Sequence, residues 1–526
     1  MSLADSVVLG GYLLAILLLG VFFSRKTHST EDYFVGGRNY RGWVIGLSLV
    51  GTSISSVTFL AYPADAYKTA WLRYLPNLML PIAIFVAARY FLPFFRRANT
   101  VTAYEFLEDR FGPSVRVYGA ASFMIAQLVR VSTILYLISL LLFEISGLDP
   151  VWCIVLAGIF VAFYTVAGGI EAVIWTDVIQ TLVLLFGGLA CLWVIVDLLP
   201  GGLGQVVSTA TEHGKLGFSE WRNGELAPVS WDLSLLNKTG TMMLVLGLVN
   251  WLTEYSSNQN TVQRYCAAKS EKEARRGMWV CALSSLPIWA FYMFLGTALY
   301  VFYLQFPAPE AAEMLSGERK AEQILPFFIL SELPAGLVGL VLAAALAAAM
   351  SSLDSSINAI SAVSVVDIYR RHLKRDASEG HYLWVARAIA VAVSGLMIGG
   401  AIVFYYADTK TLQDALTILV ALLGGGLLSL YLFGFFCRRG GAKQAWLGIA
   451  VTMLFTGWVI LARNGWLFTV EDMPFDLYYT AIIGNILMFA VLWLASRRTP
   501  LRAQVTEVDQ RGNGGKGVEQ VVPEVV

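Results

Sequence analysis

Gly46 to Pro63 reads GLSLVGTSISSVTFLAYP, and Leu248 to Tyr265 reads LVNWLTEYSSNQNTVQRY. Both lie where an apolar span crosses a bilayer, and in both, hydroxyl and amide side chains interrupt what should be a smooth lipid-facing surface. A helix that breaks at membrane depth exposes backbone carbonyls and amides, which is tolerable only around a buried site. The two stretches lie five spans apart. That interval is what an inverted five-helix repeat produces, with a site at the repeat interface near the midplane.

The surrounding chain is built for lipid. Of its 526 residues, 57% are hydrophobic and 14% charged, too little polar surface for a water-soluble globule of this size. Apolar runs of about 18 residues or more recur, each able to cross roughly 30 Å of hydrocarbon as a helix. The shorter alternating segments of a transmembrane barrel are absent. The expected fold class is therefore an all-α integral membrane protein. About thirteen spans are expected, with cores near 6–23, 43–61, 72–95, 117–143, 151–167, 173–196, 236–255, 278–304, 324–350, 384–406, 412–436, 445–462 and 477–496.

Positive charge clusters in every second connection: Arg25 to Arg41, Arg96 to Arg110, Arg264 to Arg276, Arg370 to Arg375, Arg438 to Lys443 and Arg497 to Arg502. The positive-inside rule places those connections in the cytoplasm, with the N-terminus outside and the C-terminus inside. One transmembrane domain is expected over 1–498, followed by a disordered cytoplasmic tail over 499–526. The first apolar run lacks a basic n-region and a cleavage site, so it is expected to remain as a span. A net charge of zero argues against a nucleic-acid partner. The five cysteines show no metal-ligand spacing and are expected to be free thiols.

Ala343 to Tyr369, AAALAAAMSSLDSSINAISAVSVVDIY, runs from small residues into hydroxyls, expected at the inner end of a span. On a helix Ser351 and Ser355 lie one turn apart, as do Ser352 and Ser356, with Asp354 three residues from Ser351. Sodium wants several oxygen ligands, which hydroxyls and the carbonyls of a broken helix supply. Close helix packing through small residues is the competing explanation. Asp177 and Arg130 are the ionisable residues best placed within spans, where a charge costs at least about 2.5 kcal/mol and is usually partnered or functional. Asp177 is a candidate for an ion site or an interfacial residue; Arg130 is a candidate ligand or a structurally paired arginine.

The segments GGRNYRGWVIGLSLVGTSISSVTFLAYPADAY, YTVAGGIEAVIWTDVIQ, NQNTVQRYCAAKS and AAAMSSLDSSINAISAVSVVDIY, in this order, resemble the sodium/solute symporter family. Arg130 in LVRVSTILYL matches the arginine that binds the substrate carboxylate in the family's bacterial sialic acid symporters. The resemblance implies a LeuT-type fold of two inverted five-helix repeats over about 43–436, preceded by the span at 6–23 and followed by two over 445–496. It implies a main sodium site with carbonyls from Gly51, Ile54 and Ala348 and hydroxyls from Ser351 and Ser352. A second sodium site is implied at Asp177, Ser351, Asp354 and Ser355. A substrate site is implied at Ser53, Ser55, Thr58, Arg130 and the broken helix from Asn250 to Gln259. Asp354 stands where the sialic acid symporters carry serine, and Arg73 and Asn77 where they carry Phe and Gln near the substrate.

The expected function is sodium-coupled import of a small polar solute, a carboxylate-bearing sugar such as sialic acid first, with one or two Na+ as the coupling ion. Another sugar or organic acid, proton coupling through Asp177 and Asp354, and a solute-binding membrane sensor are the alternatives. An enzyme is not expected, because no metal-ligand motif, nucleophile elbow or phosphate loop appears. The expected setting is the bacterial inner membrane, with the solute and the bilayer as partners and no obligate protein partner.

Overall fold

A computed structural model describes residues 2–25, 27–97, 100–222, 225–406, 423–463 and 473–499. The first apolar run forms α1 (Leu3–Ser24), opened by a capping box between Ser2 and Asp5. The first broken span becomes α2 (Gly42–Ser53) and α3 (Ser56–Lys68), bent by 57°. Ile54 and Ser55 are both extended there, which takes the helical hydrogen-bond ladder apart. Ser55 restarts it by accepting from the Val57 amide at 3.3 Å. The stretch Trp71–Arg97 then crosses as successive 3₁₀, α and π turns, in keeping with Pro76, Pro81 and Pro93, which carry no amide hydrogen to donate.

Next come α4 (Pro113–Ser146) and α5 (Pro150–Leu198). The 49 residues of α5 hold two of the expected spans, joined at Gly169 (φ 57°, ψ −152°). A side chain at Gly169 would meet the Tyr33 ring at 2.6 Å and its carbonyl at 2.8 Å, so the kink needs glycine for both conformation and space. Beyond α6 (Gly202–Glu212) lies a hairpin, β1 (Ser219–Arg222) with β2 (Glu225–Pro228). The second broken span is α7 (Gly240–Ser257) and α8 (Gln259–Ala267), separated by Asn258 alone. Then follow α9 (Glu271–Gln305) and α10 (Pro309–Ser316).

The span expected at 324–350 is placed differently. Ile324–Glu332 forms a separate short helix, the chain turns through Gly336 (φ 91°), and the span itself is α11 (Leu337–Val363). The physical reason lies at the other end of the chain: Asp5 accepts from the amides of Gly336 and Gly339 at 2.7 and 2.9 Å, capping α11 at its first turn. The hydroxyl cluster therefore sits in the middle of its span and not at the inner end. The remaining helices are α12 (Glu379–Tyr406), α13 (Leu427–Phe436), α14 (Ala442–Arg463) and α15 (Thr480–Ser496).

Among the described residues nine helices are long and apolar enough to cross a membrane, or ten with the bent α2–α3 pair. The difference from thirteen lies at three places: the double-length α5, the broken α7–α8 span, and the span at 412–436, of which 407–422 fall outside the described residues. The expected tail from 500 onward also falls outside them. The chain is a multi-pass, all-α membrane protein. In the most apolar stretch of the α11 span 83% of residues are buried, against 22% for α1. Its hydroxyls therefore face protein, since α11 packs between α5, α4 and α1 at the bundle's centre.

Candidate ion and substrate site

Small residues let α11 approach its neighbours closely, and Ala343 to Ala349 are all buried. The hydroxyl turn that follows is buried as well: Ser351 and Ser355 at 1%, Ser352 at 3% and Asp354 at 0% exposure. Ser351 donates to the Ala348 carbonyl at 3.3 Å, while the Ser352 hydroxyl has no partner among the described residues. Against this face lies α2 with its broken end. A side chain at Gly51 would come within 3.0 Å of the Thr181 hydroxyl and 3.2 Å of the Asp177 carbonyl on α5, so the absent Cβ is what lets the break approach α5.

Asp177 is fully buried, and its Oδ2 accepts from Ser48 at 2.6 Å and from Arg264 at 2.8 Å. Arg264 is the residue that sequence reasoning misplaced. Counted there among the charges of a cytoplasmic connection, it has 0% exposure. Its guanidinium also donates to Ser48 at 2.8 Å, to the Asn260 carbonyl at 2.7 Å and to Ser355 at 2.5 Å. The correction has a local cause. Helix α8 runs on to Ala267 with all nine of its residues buried, which carries Arg264 a turn inside the connection where Lys269 and Lys272 lie. Polar residues on every face of so short a helix were the available signal.

Asp354, by contrast, has no cation within ion-pair distance among the described residues. Its carboxylate accepts from Tyr164 at 2.7 Å, Ser355 at 3.2 Å and Thr176 at 3.4 Å. With Arg264 on Asp177, the cluster of two carboxylates and one guanidinium would carry one negative charge in excess if both acids are ionised. Asp177 Oδ1 and both polar atoms of Gln180 are buried without partners among the described residues. Unpaired acceptors and an uncompensated charge in a dry interior are costly, and a bound cation offsets both costs. The expected residues of the two sodium sites are thus brought to one buried region by α2, α5 and α11.

The expected substrate residues have separate settings, except that Arg73 and Asn77 both meet Tyr62. Ser53 has its hydroxyl 4.0 Å from the Cys281 thiol, Ser55 caps α3, and Thr58 is buried on the same half-helix. Arg73 forms an ion pair with Asp65, and Asn77 donates to the Tyr62 hydroxyl at 2.7 Å. Asn250 is exposed on α7, whereas Gln259 bridges the backbone of Val101 and Ala103. Glu254 staples the second break by accepting from Asn258 at 2.7 Å and Thr261 at 2.5 Å. Arg130 lies halfway along α4, exposed, with no hydrogen bond or ion pair among the described residues. Three residues earlier Gln127 accepts from Ser356 at 3.1 Å, which sets that side of α4 against the hydroxyl face of α11.

A family model described as "Sodium:solute symporter family" matches residues 33–451. The chain belongs to the sodium:solute symporter family. It is 35% identical to the sodium/sialic acid symporter SiaT of Proteus mirabilis over 91% of this chain and 92% of that protein. It is 30% identical to the sodium/sialic acid symporter NanT of Aliivibrio fischeri over 96% and 95%. A solved structure of a Na+-coupled sialic acid symporter, in a substrate-bound outward-open state, superposes with a TM-score of 0.85 at 31% identity, covering 96% of this chain and 100% of that one. The fold is accordingly the LeuT-type arrangement that the family resemblance implies, and the family's members are transporters, not enzymes.

Proposed function

We propose that this sodium:solute symporter family member couples inward sodium movement to import of a small acid, with sialic acid as the first candidate. The observation that carries the sodium reading is Asp354: a buried carboxyl group without a cationic partner among the described residues, on a hydroxyl-rich turn that faces a broken helix. Gly51, Ile54, Ala348, Ser351 and Ser352 form the main ion site, and Asp177, Ser351, Asp354 and Ser355 the second. Each charge that crosses 100 mV contributes about 2.3 kcal/mol, so one or two ions can sustain a steep solute gradient. Thirteen spans in a bacterial inner membrane, with the N-terminus outside and the C-terminal segment in the cytoplasm, complete the reading.

Arg130 supports the acid. A guanidinium halfway along a span and without a partner among the described residues is costly unless it meets water or an anionic ligand, and its planar fork pairs with a carboxylate through two charge-assisted hydrogen bonds. The relatives named for sialic acid fit a substrate of that class. The test is uptake of labelled sialic acid beside thermal stability. Arg130→Lys is expected to weaken uptake and Arg130→Ala to weaken it further, with stability changed by less than about 0.5 kcal/mol because no folded contact is lost. A well-folded Arg130→Ala protein that transports the acid normally would remove the arginine from the substrate site.

A further inference from the structure

A second cationic recess lies outside the ion cluster, at the end of the bundle where α3 stops and α6 turns back. Just past the end of α6, Gly214 lies in the left-handed region (φ 66°), and the Lys215 amide returns to the Ala210 carbonyl at 2.8 Å. That turn drives Lys215 inward until 3% of it is exposed. Its ammonium donates to the Tyr67 carbonyl at 2.7 Å and lies 4.0 Å from the centre of the Tyr300 ring. His213 holds the Tyr300 hydroxyl at 2.9 Å. Around these groups is a cavity of about 550 Å³, into which Lys68 and Ser316 also project, walled by Leu226 and Leu315. Its lining contains no carboxylate among the described residues.

We propose that this recess binds a small organic acid, with the ligand carboxylate on Lys215 and His213 and its carbon skeleton against Leu226 and Leu315. Among the described residues the Lys215 amine meets a carbonyl and a ring face but no counter-charge, so its protonated form is costly, and a carboxylate supplies the missing partner. The volume is far larger than an inorganic ion needs, and the apolar walls suit carbon. Burial also pulls the Lys215 pKa down from 10.5 to about 7. A bound carboxylate favours the charged amine, so at pH 8 the acid binds with proton uptake. The charged and titratable groups beside it are Tyr67 and Lys68 on α3, Tyr300 on α9 and His213 on its own segment; α10, which also lines the recess, carries Glu310 and Glu313, and β1 carries Glu220. Of the acids, Glu313 is engaged by Arg319 at 2.6 Å and Glu220 by Lys238 at 3.6 Å.

The recess is independent of the central site, so the experiment uses full-length Arg130→Ala protein beside the parent. Titration calorimetry at pH 8 with acetate and N-acetylneuraminate, in two buffers of different ionisation enthalpy, reads affinity and proton uptake together. Both proteins are expected to bind, with proton uptake. Adding Lys215→Met is expected to weaken binding at least about tenfold and abolish the uptake. Leu315→Trp, which fills the cavity and leaves the Lys215 contacts in place, is expected to block binding if Lys215→Met does not fold. No binding by the Arg130→Ala protein, or binding that survives both variants, overturns the proposal. An equal response to chloride or inorganic phosphate overturns its assignment to organic acids.

Discussion

The two broken spans solve the same geometric problem with opposite chemistry. At the first, two extended residues, Ile54 and Ser55, bend the halves by 57° and the break is lined by hydroxyls and freed carbonyls, with no charged side chain of its own. At the second, Asn258 alone is extended, and two charges flank it: Glu254 bonds across the break, and Arg264 is sunk into the centre of the bundle. The first half-site is neutral and open to a cation. The second delivers a tethered cation that already holds one of the two central carboxylates. That leaves Asp354 without a cationic partner among the described residues, and we assign it to the ion that moves.

The largest effect expected from this contrast is at Arg264. Arg264→Ala leaves Asp177 charged, buried and unpaired, which costs about 3–5 kcal/mol. The expected outcome is little folded protein, read as recovery in detergent and as melting temperature, with Asp177→Asn/Arg264→Gln recovering much of the loss. Equal melting of Arg264→Ala and parent would mean that the second break does not depend on its charge.

A smaller and opposite pattern is expected at Ser352, whose hydroxyl is buried without a partner among the described residues. Ser352→Ala removes no folded hydrogen bond, so stability is expected to hold within about 0.5 kcal/mol. The sodium concentration for half-maximal uptake is expected to rise about tenfold, the equivalent of 1.4 kcal/mol of lost ion binding. A variant that loses stability with unchanged sodium activation would make Ser352 a packing residue. Smallest is Ser55→Ala, which removes the cap on α3 and is expected to cost about 1 kcal/mol of thermal stability. Sodium activation should change little, because Ser55 is no proposed ion ligand; a shift as large as that of Ser352→Ala would extend the ion site to the cap itself.

Much of the fold was readable before any coordinates, because a break at membrane depth must show as polar residues in an apolar run, and both breaks fell inside the stretches that display them. Asp177 and Asp354 stood out for a similar reason, since ionisable groups are rare in spans without a purpose; the hydroxyls of α11 stood out only by their clustering, which close packing also explains. Arg264 was not, because a rule that counts basic residues by connection cannot tell a residue one turn inside from its neighbours Lys269 and Lys272. The start of α11 was hidden for a different reason. Ile324 to Leu342 is apolar on both sides of Gly336, and the cap that decides the boundary comes from Asp5, more than three hundred residues away. The partners of Arg73 and Lys215 were also tertiary facts: an acid on α3 and a ring on α9 that no local spacing reveals.

The central claim is that sodium drives the transport, and the most direct measurement is uptake of labelled sialic acid into proteoliposomes at clamped pH, with sodium, potassium or choline outside. The account predicts concentrative uptake only with an inward sodium gradient, and its collapse when sodium is equal on both sides and no membrane potential is applied. In the same vesicles Asp354→Ser is predicted to alter the sodium dependence of uptake, since it removes the carboxylate left without a cation. Full uptake from potassium or choline buffer, with the parent and Asp354→Ser indistinguishable, would contradict the account.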